Sequence, residues 1–110
     1  MCSDIAATIA FFTRWFGAEV ADDVVFAGAR NVFLRIGAGR IHLYDQPPRA
    51  QGRSAIHHLG LHTDDLRGLV ARMQAGGFVF RKPITEDPLG RYVMVEAPDG
   101  VLLELFEAKR

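Results

Sequence analysis

The sequence predicts an α+β fold assembled from two similar halves, each a helix followed by antiparallel strands. Three observations lead there. First, Ser3-Asp4-Ile5 resembles Asp64-Asp65-Leu66, and His42-Leu43-Tyr44-Asp45 resembles Glu104-Leu105-Phe106-Glu107, at nearly the same offset along the chain. Second, between these anchors both halves run from a helical pattern through glycine into strand patterns. Third, the halves meet at Gln46-Pro47-Pro48-Arg49-Ala50-Gln51-Gly52-Arg53-Ser54, a polar stretch with Pro and Gly that reads as a linker. The expected organisation is one module over about residues 1–46, a linker over 47–55 and a second module over about 56–110. At 110 residues in all, neither half is large enough for a core of its own, so a single domain is expected.

In the first half Asp4 is suited to cap a helix, because its carboxylate accepts from the free N–H groups of the first turn. Ile5, Ile9, Phe12 and Phe16 then recur at helical spacing, and Gly17 supplies the C-terminal cap. Phe12, Trp15 and Phe16 read as helix packing rather than a cofactor-binding stripe. Strands are expected over Val24–Phe26, Asn31–Ile36 and Arg40–Asp45. The second half adds an opening strand, Ile56–His62. Its helix is capped by Asp65, carries Leu66, Leu69, Val70 and Met73 on one face, and ends at Gly76-Gly77. Strands follow over Phe78–Arg81, Tyr92–Glu96 and Val101–Phe106, with Pro98-Asp99-Gly100 as a turn. The second half is thus strand, helix, strand, strand, strand (βαβββ). The first half has the same order with its opening strand truncated, since only Met1 and Cys2 precede the Ser3-Asp4 cap region.

Composition narrows the function. Thirteen Lys and Arg balance thirteen Asp and Glu, so no surplus of positive charge favours nucleic acid or an anionic membrane surface. The single cysteine, Cys2, forms no internal disulfide. The apolar run Ile5–Phe12 is too short to span a bilayer and lacks a basic flank, so a cytoplasmic location is expected.

The candidate chemistry lies in four histidines and one strand carboxylate. Side chains alternate along a strand, which sets His58, Gly60 and His62 on one face. His58 and His62 lie roughly 13 Å apart along it, too far to share a metal ion. Glu104 sits in an apolar strand, where a carboxylate is costly unless paired or bound to a cation. His42 occupies the matching position of the first half. A single strand histidine is more often a hydrogen-bonded residue than a ligand, and a single strand glutamate more often faces solvent. Two imidazoles and a carboxylate brought together by the repeat, however, suit a transition metal with open coordination positions.

The segments His58-Leu59-Gly60-Leu61-His62-Thr63-Asp64-Asp65-Leu66 and Ala97-Pro98-Asp99-Gly100-Val101-Leu102-Leu103-Glu104-Leu105-Phe106-Glu107 resemble the second module of the vicinal oxygen chelate superfamily. That group holds glyoxalase I, extradiol dioxygenases, fosfomycin-resistance enzymes and bleomycin-resistance proteins. The resemblance implies two βαβββ modules in a curved mixed sheet around a cleft. It also implies a divalent metal ion (Fe, Mn, Ni or Zn) held by the first and last strand of each module. Carried over residue by residue, it implies His58 and Glu104 as ligands in module two and His42 as the last-strand ligand of module one. The fourth position falls about six residues before Asp4, ahead of Met1. Glu104 would then be both ligand and catalytic base. His62 and Tyr92 are candidates to support the site, although a solvent-facing or sheet-packing role is the commoner one for each.

The function expected is a metal-dependent lyase, isomerase or ring-cleaving dioxygenase acting on a small molecule with vicinal oxygens. The alternative is a metal-free small-molecule binding protein of the bleomycin-resistance type. The truncated first strand exposes the edge of its neighbour, and unpaired edges recruit partners. A homodimer is therefore expected, with strands or modules exchanged between chains. Light scattering of the purified protein should give the dimer mass; a stable, monodisperse monomer refutes it.

Overall fold

The computed structural model describes residues 1–47 and 57–109, so most of the expected linker and Ile56 lie outside the described residues. The chain forms two units, Met1–Gly52 and Arg53–Arg110, of α+β architecture. No helix among the described residues is long and apolar enough to cross a membrane.

The first unit opens with α1 (Ile5–Phe16). Asp4 caps it, its carboxylate accepting from the Ala7 N–H at 3.0 Å. Gly17 ends it at φ 64°, a left-handed conformation that favours glycine. The buried face is Ile5, Thr8 and Phe12. Thr8 takes a place the apolar pattern left open because its hydroxyl donates to the Asp4 carbonyl at 3.1 Å, satisfying the group the helix would otherwise bury unpaired. Ile9 and Phe16 are only half-buried.

Three antiparallel strands follow in the order β1 (Glu19–Phe26), β2 (Ala29–Ile36) and β3 (Gly39–Tyr44). β1 begins five residues before the expected strand, because backbone pairing with β2 carries it through Glu19-Val20-Ala21-Asp22-Asp23, a run without apolar alternation. β2 and β3 pair in the register Asn31↔Tyr44, Val32↔Leu43 and Phe33↔His42. That register sets Val32, Leu34 and Leu43, all buried, on one face. Asn31, Phe33, His42 and Tyr44 share the other. No described strand lies on the outer edge of β3. One backbone bond occurs there, from the Cys2 N–H to the Tyr44 carbonyl at 2.9 Å.

The second unit consists of β4 (Leu59–His62), α2 (Leu66–Ala75), β5 (Thr85–Asp87), β6 (Gly90–Glu96) and β7 (Leu102–Ala108). Its sheet order is β4-β7-β6-β5, with β4 parallel to β7 and the other pairs antiparallel. The Thr63 N–H donates to the Phe106 carbonyl at 2.9 Å, the same contact by repeat position as that from Cys2 to Tyr44. Leu66, Leu69 and Met73 of α2 are buried together with Val93, Val95, Leu103 and Leu105 of the sheet, and α2 lies against β7. Each fully buried side chain of this size contributes about 1.5–3 kcal/mol. Two carboxylates serve the start of α2: Asp65 accepts from the Gly68 N–H at 2.9 Å and Glu107 from the Leu66 N–H at 3.3 Å. Gly90 runs so close to the Glu107 carbonyl that a β-carbon would collide with it.

The expected strand at Phe78–Arg81 does not form. The Phe78 N–H turns back to the Met73 carbonyl at 2.9 Å to close α2; Phe78 and Phe80 are half-buried with ring centroids 4.8 Å apart, while Val79 between them is 82% exposed. The strand forms instead at Thr85–Asp87, beyond Pro83. Pro98–Gly100 makes the expected tight turn, with Asp99 and Gly100 both at positive φ.

Arg30 grips Asp23 with two hydrogen bonds, Nε to Oδ1 at 2.9 Å and an outer nitrogen to Oδ2 at 2.7 Å. The hydrogen bond from Arg30, with its positive charge, holds the Asp23 carboxyl below its ordinary 3.8. Stability from this pair is therefore present above the ordinary carboxylate range and lost as pH falls through the lowered value. Asp23→Asn should lower the melting temperature at about pH 7 and leave it unchanged at about pH 2. An equal shift at both values refutes this.

Candidate functional site

On β7 the alternation that buries Leu103 and Leu105 sets Glu104 and Phe106 on the opposite face. Glu104 is paired in register with Gly60 of β4 on one side and Met94 of β6 on the other. Gly60 has open space where a β-carbon would point, so nothing on that strand crowds the carboxylate. His58 lies just ahead of β4, outside the strand, and its side chain reaches Glu104. Its Nε2 is 3.4 Å from Glu104 Oε2, with the side chains 36% and 28% exposed.

The hydrogen bonds define the imidazole. His57 Nδ1 and His58 Nδ1 are 2.8 Å apart, so one must donate and the other accept. In the tautomer that carries its proton on Nε2, toward Glu104, His58 offers Nδ1 as an acceptor to His57. A cation bound at this place would take the position of that proton. Two donors held at about 2.0–2.2 Å from one ion and spread by a tetrahedral angle lie about 3.4 Å apart. The Nε2–Oε2 separation of 3.4 Å matches that spacing.

In the first unit His42 lies on β3. Its ring stacks on Phe33 with centroids 4.2 Å apart at 14°, and meets Tyr44 edge-on at 6.3 Å. His42 Nε2 is 2.8 Å from Oδ1 of Asn31. Asn31 is fully buried, and its sequence pattern does not single it out. The available signal was an amide alternating with Phe33 inside a strand, where an unsatisfied polar group costs several kcal/mol. Ideal strand alternation places His57 on the face opposite His58, but the backbone at 57–58 is not strand, and the two rings meet through their Nδ1 atoms.

His62 and Tyr92 both neighbour Phe106, by register and, for His62, with ring centroids 6.2 Å apart. That position is two residues along β7 from Glu104. Among the described residues, neither unit by itself groups three or more His, Cys, Asp or Glu side chains where they could share a metal ion.

Comparisons with known proteins agree on the architecture. The family model described as Glyoxalase/Bleomycin resistance protein/Dioxygenase superfamily matches residues 1–105. The uncharacterized protein YwbC of Bacillus subtilis (strain 168) is 29% identical over 117 aligned positions, covering 97% of this chain and 91% of that protein. Among solved structures, a mutant of the fosfomycin resistance protein FosX from Listeria monocytogenes, complexed with Mn(II) and 1S,2S-dihydroxypropylphosphonic acid, superposes with a TM-score of 0.80. It is 20% identical, over 98% of this chain and 86% of that one. TnmS3, an antibiotic binding protein from Streptomyces sp. CB03234, has a TM-score of 0.75 and 23% identity, over 98% and 89% of the two chains.

Because Glu104 lies on the open face and its partner is a half-exposed imidazole, packing does not depend on its charge. Urea denaturation of Glu104→Gln should change the unfolding free energy by less than about 1 kcal/mol. A loss of several kcal/mol would make Glu104 a structural residue.

Proposed function

The chain belongs to the Glyoxalase/Bleomycin resistance protein/Dioxygenase superfamily, and on that premise we propose that it is a metal-dependent enzyme acting on a small molecule with vicinal oxygens. The observation that carries this reading is the His58 Nε2–Glu104 Oε2 separation of 3.4 Å on the open face of the second sheet. In this reading His58 and Glu104 are ligands from the second unit, and His42 is the third. The ion, when bound, supplies Lewis-acid stabilisation of negative charge developing on substrate oxygen. A fosfomycin resistance protein of the same fold is complexed with Mn(II), which supports the choice of a divalent cation.

The chain's own residues supply the rest. Glu104 Oε2 faces His58, which leaves Oε1 as the oxygen to take a proton from substrate. His57, hydrogen-bonded to His58 Nδ1, orients that imidazole in its Nε2-facing pose. Met94, Phe106 and Leu102, on the same face as Glu104, supply apolar contact that limits water near the carboxylate. The reaction class in this reading is that of a lyase, an isomerase or a ring-cleaving dioxygenase.

A second reading is a metal-free protein of the bleomycin-resistance type that binds an aromatic small molecule. The stacked Phe33–His42 pair with Tyr44 at its edge favours it, as does the likeness in fold to an antibiotic binding protein.

Calorimetric titration separates the two. With Mn(II), Fe(II), Ni(II) or Zn(II), the metal-dependent reading expects one ion per chain. It also expects affinity at least about tenfold weaker in Glu104→Ala and in His58→Ala. A protein that binds none of these ions, or binds them equally well without Glu104, belongs to the second reading.

A further inference from the structure

We infer that Asn31 is a positioning residue that holds His42 in its Nε2–H form, so that Nδ1 is the nitrogen His42 offers to a ligand. The inference begins with the orientation of the buried amide. Asn31 Nδ2 donates to the Ala29 carbonyl at 3.0 Å and to the Phe26 carbonyl at 3.3 Å. Those carbonyls belong to the β1–β2 hairpin and accept only, so both amide hydrogens are committed and the amide cannot be turned over. Oδ1 is thereby fixed toward His42, and it too accepts only. The 2.8 Å contact with His42 Nε2 is a hydrogen bond only if Nε2 brings the proton.

Neutral imidazole carries one N–H. With Nε2 protonated, the lone pair is on Nδ1. The ring plane is fixed independently, by the Phe33 face at 4.2 Å and the Tyr44 edge. Asn31 is 0% exposed, so no water takes over either side of the amide, whereas His42 is exposed and open to a ligand.

The internal repeat gives a second, separate argument. The register Asn31↔Tyr44 and Phe33↔His42 of the first unit corresponds to Tyr92↔Phe106 and Met94↔Glu104 of the second. The unit whose strand carries histidine has an amide at the diagonal position, and the unit whose strand carries glutamate has none. A carboxylate has no tautomer to select; an imidazole does. As far as the ligand is a cation, the inference rests on the metal-dependent reading above. The protonation form does not.

The test is made on the full chain labelled with ¹⁵N, by long-range proton–nitrogen correlation of the histidine rings at mildly alkaline pH, without metal and then with Zn(II). Without metal, His42 should show the Nε2–H form in about tenfold excess or more, as expected from one buried hydrogen bond that the other form leaves unmade. The Nε2 proton should be directly visible. A dominant Nδ1–H form, or an even mixture, overturns the inference. With Zn(II), the large nitrogen shift should fall on His42 Nδ1 while Nε2 keeps its proton; zinc on Nε2 overturns it. Retention of Nε2–H with no zinc at either nitrogen sustains the role of Asn31 and removes His42 from the metal-dependent reading. In Asn31→Ala the visible Nε2 proton should be lost, and in Asn31→Asp, which keeps an acceptor, it should remain. A folded Asn31→Ala protein whose His42 spectrum is unchanged overturns the inference.

Discussion

Each sheet sets its buried aliphatic side chains on one face, and the rest of the structure depends on that constraint. In the second unit Leu103, Leu105, Val93 and Val95 are almost wholly removed from water alongside the apolar face of α2. Because side chains alternate, burying these residues assigns Glu104 and Phe106 to the opposite face with no further choice. A slip of one residue would put the Glu104 carboxyl into the apolar layer and Leu103 and Leu105 outside it, at a cost of several kcal/mol, a large share of the stability of a small domain. The first unit obeys the same rule with Val32, Leu34 and Leu43 on the buried face and Phe33, His42 and Tyr44 on the other. The core thus fixes the position of the candidate ligands without touching them.

Polar groups inside this scheme are allowed only where the backbone supplies their partners. Asn31 is fully buried, yet two carbonyls of its own hairpin and the ring of His42 use its hydrogen-bonding groups. Thr8 satisfies itself within α1 by donating to the Asp4 carbonyl. Glu107 takes both the Leu66 N–H and Arg91, whose Nε lies 3.0 Å away, and so ties the last strand to the start of α2. Among the described residues, the polar partners of Glu104 and His58 are each other and His57. A strand carboxylate and an imidazole left partly open, with matched spacing, form a chemically available pair, whereas the Glu107–Arg91 pair is already closed.

Local order along the chain was sufficient to determine a good deal. The two capped helices followed from Asp4 and Asp65 with their apolar spacing, since a cap and a helical stripe involve residues within four positions of each other. The faces carrying His42 and Glu104 followed from strand alternation, which is also local, whereas His58 lies outside β4, which begins at Leu59 rather than at Ile56. The internal repeat and the Pro98-Asp99-Gly100 turn pointed to the superfamily for the same reason. What depended on pairing between distant segments was decided by tertiary structure alone. β1 extends through a charged run because β2 is there to pair with it, and Phe78–Arg81 stays out of the sheet because its backbone closes α2 instead. The approach of His58 to Glu104, and the tautomer that Asn31 imposes on His42, depend on contacts between strands 11 to 46 positions apart in sequence. No periodicity encodes such distances. They arise only when register and burial have fixed both partners.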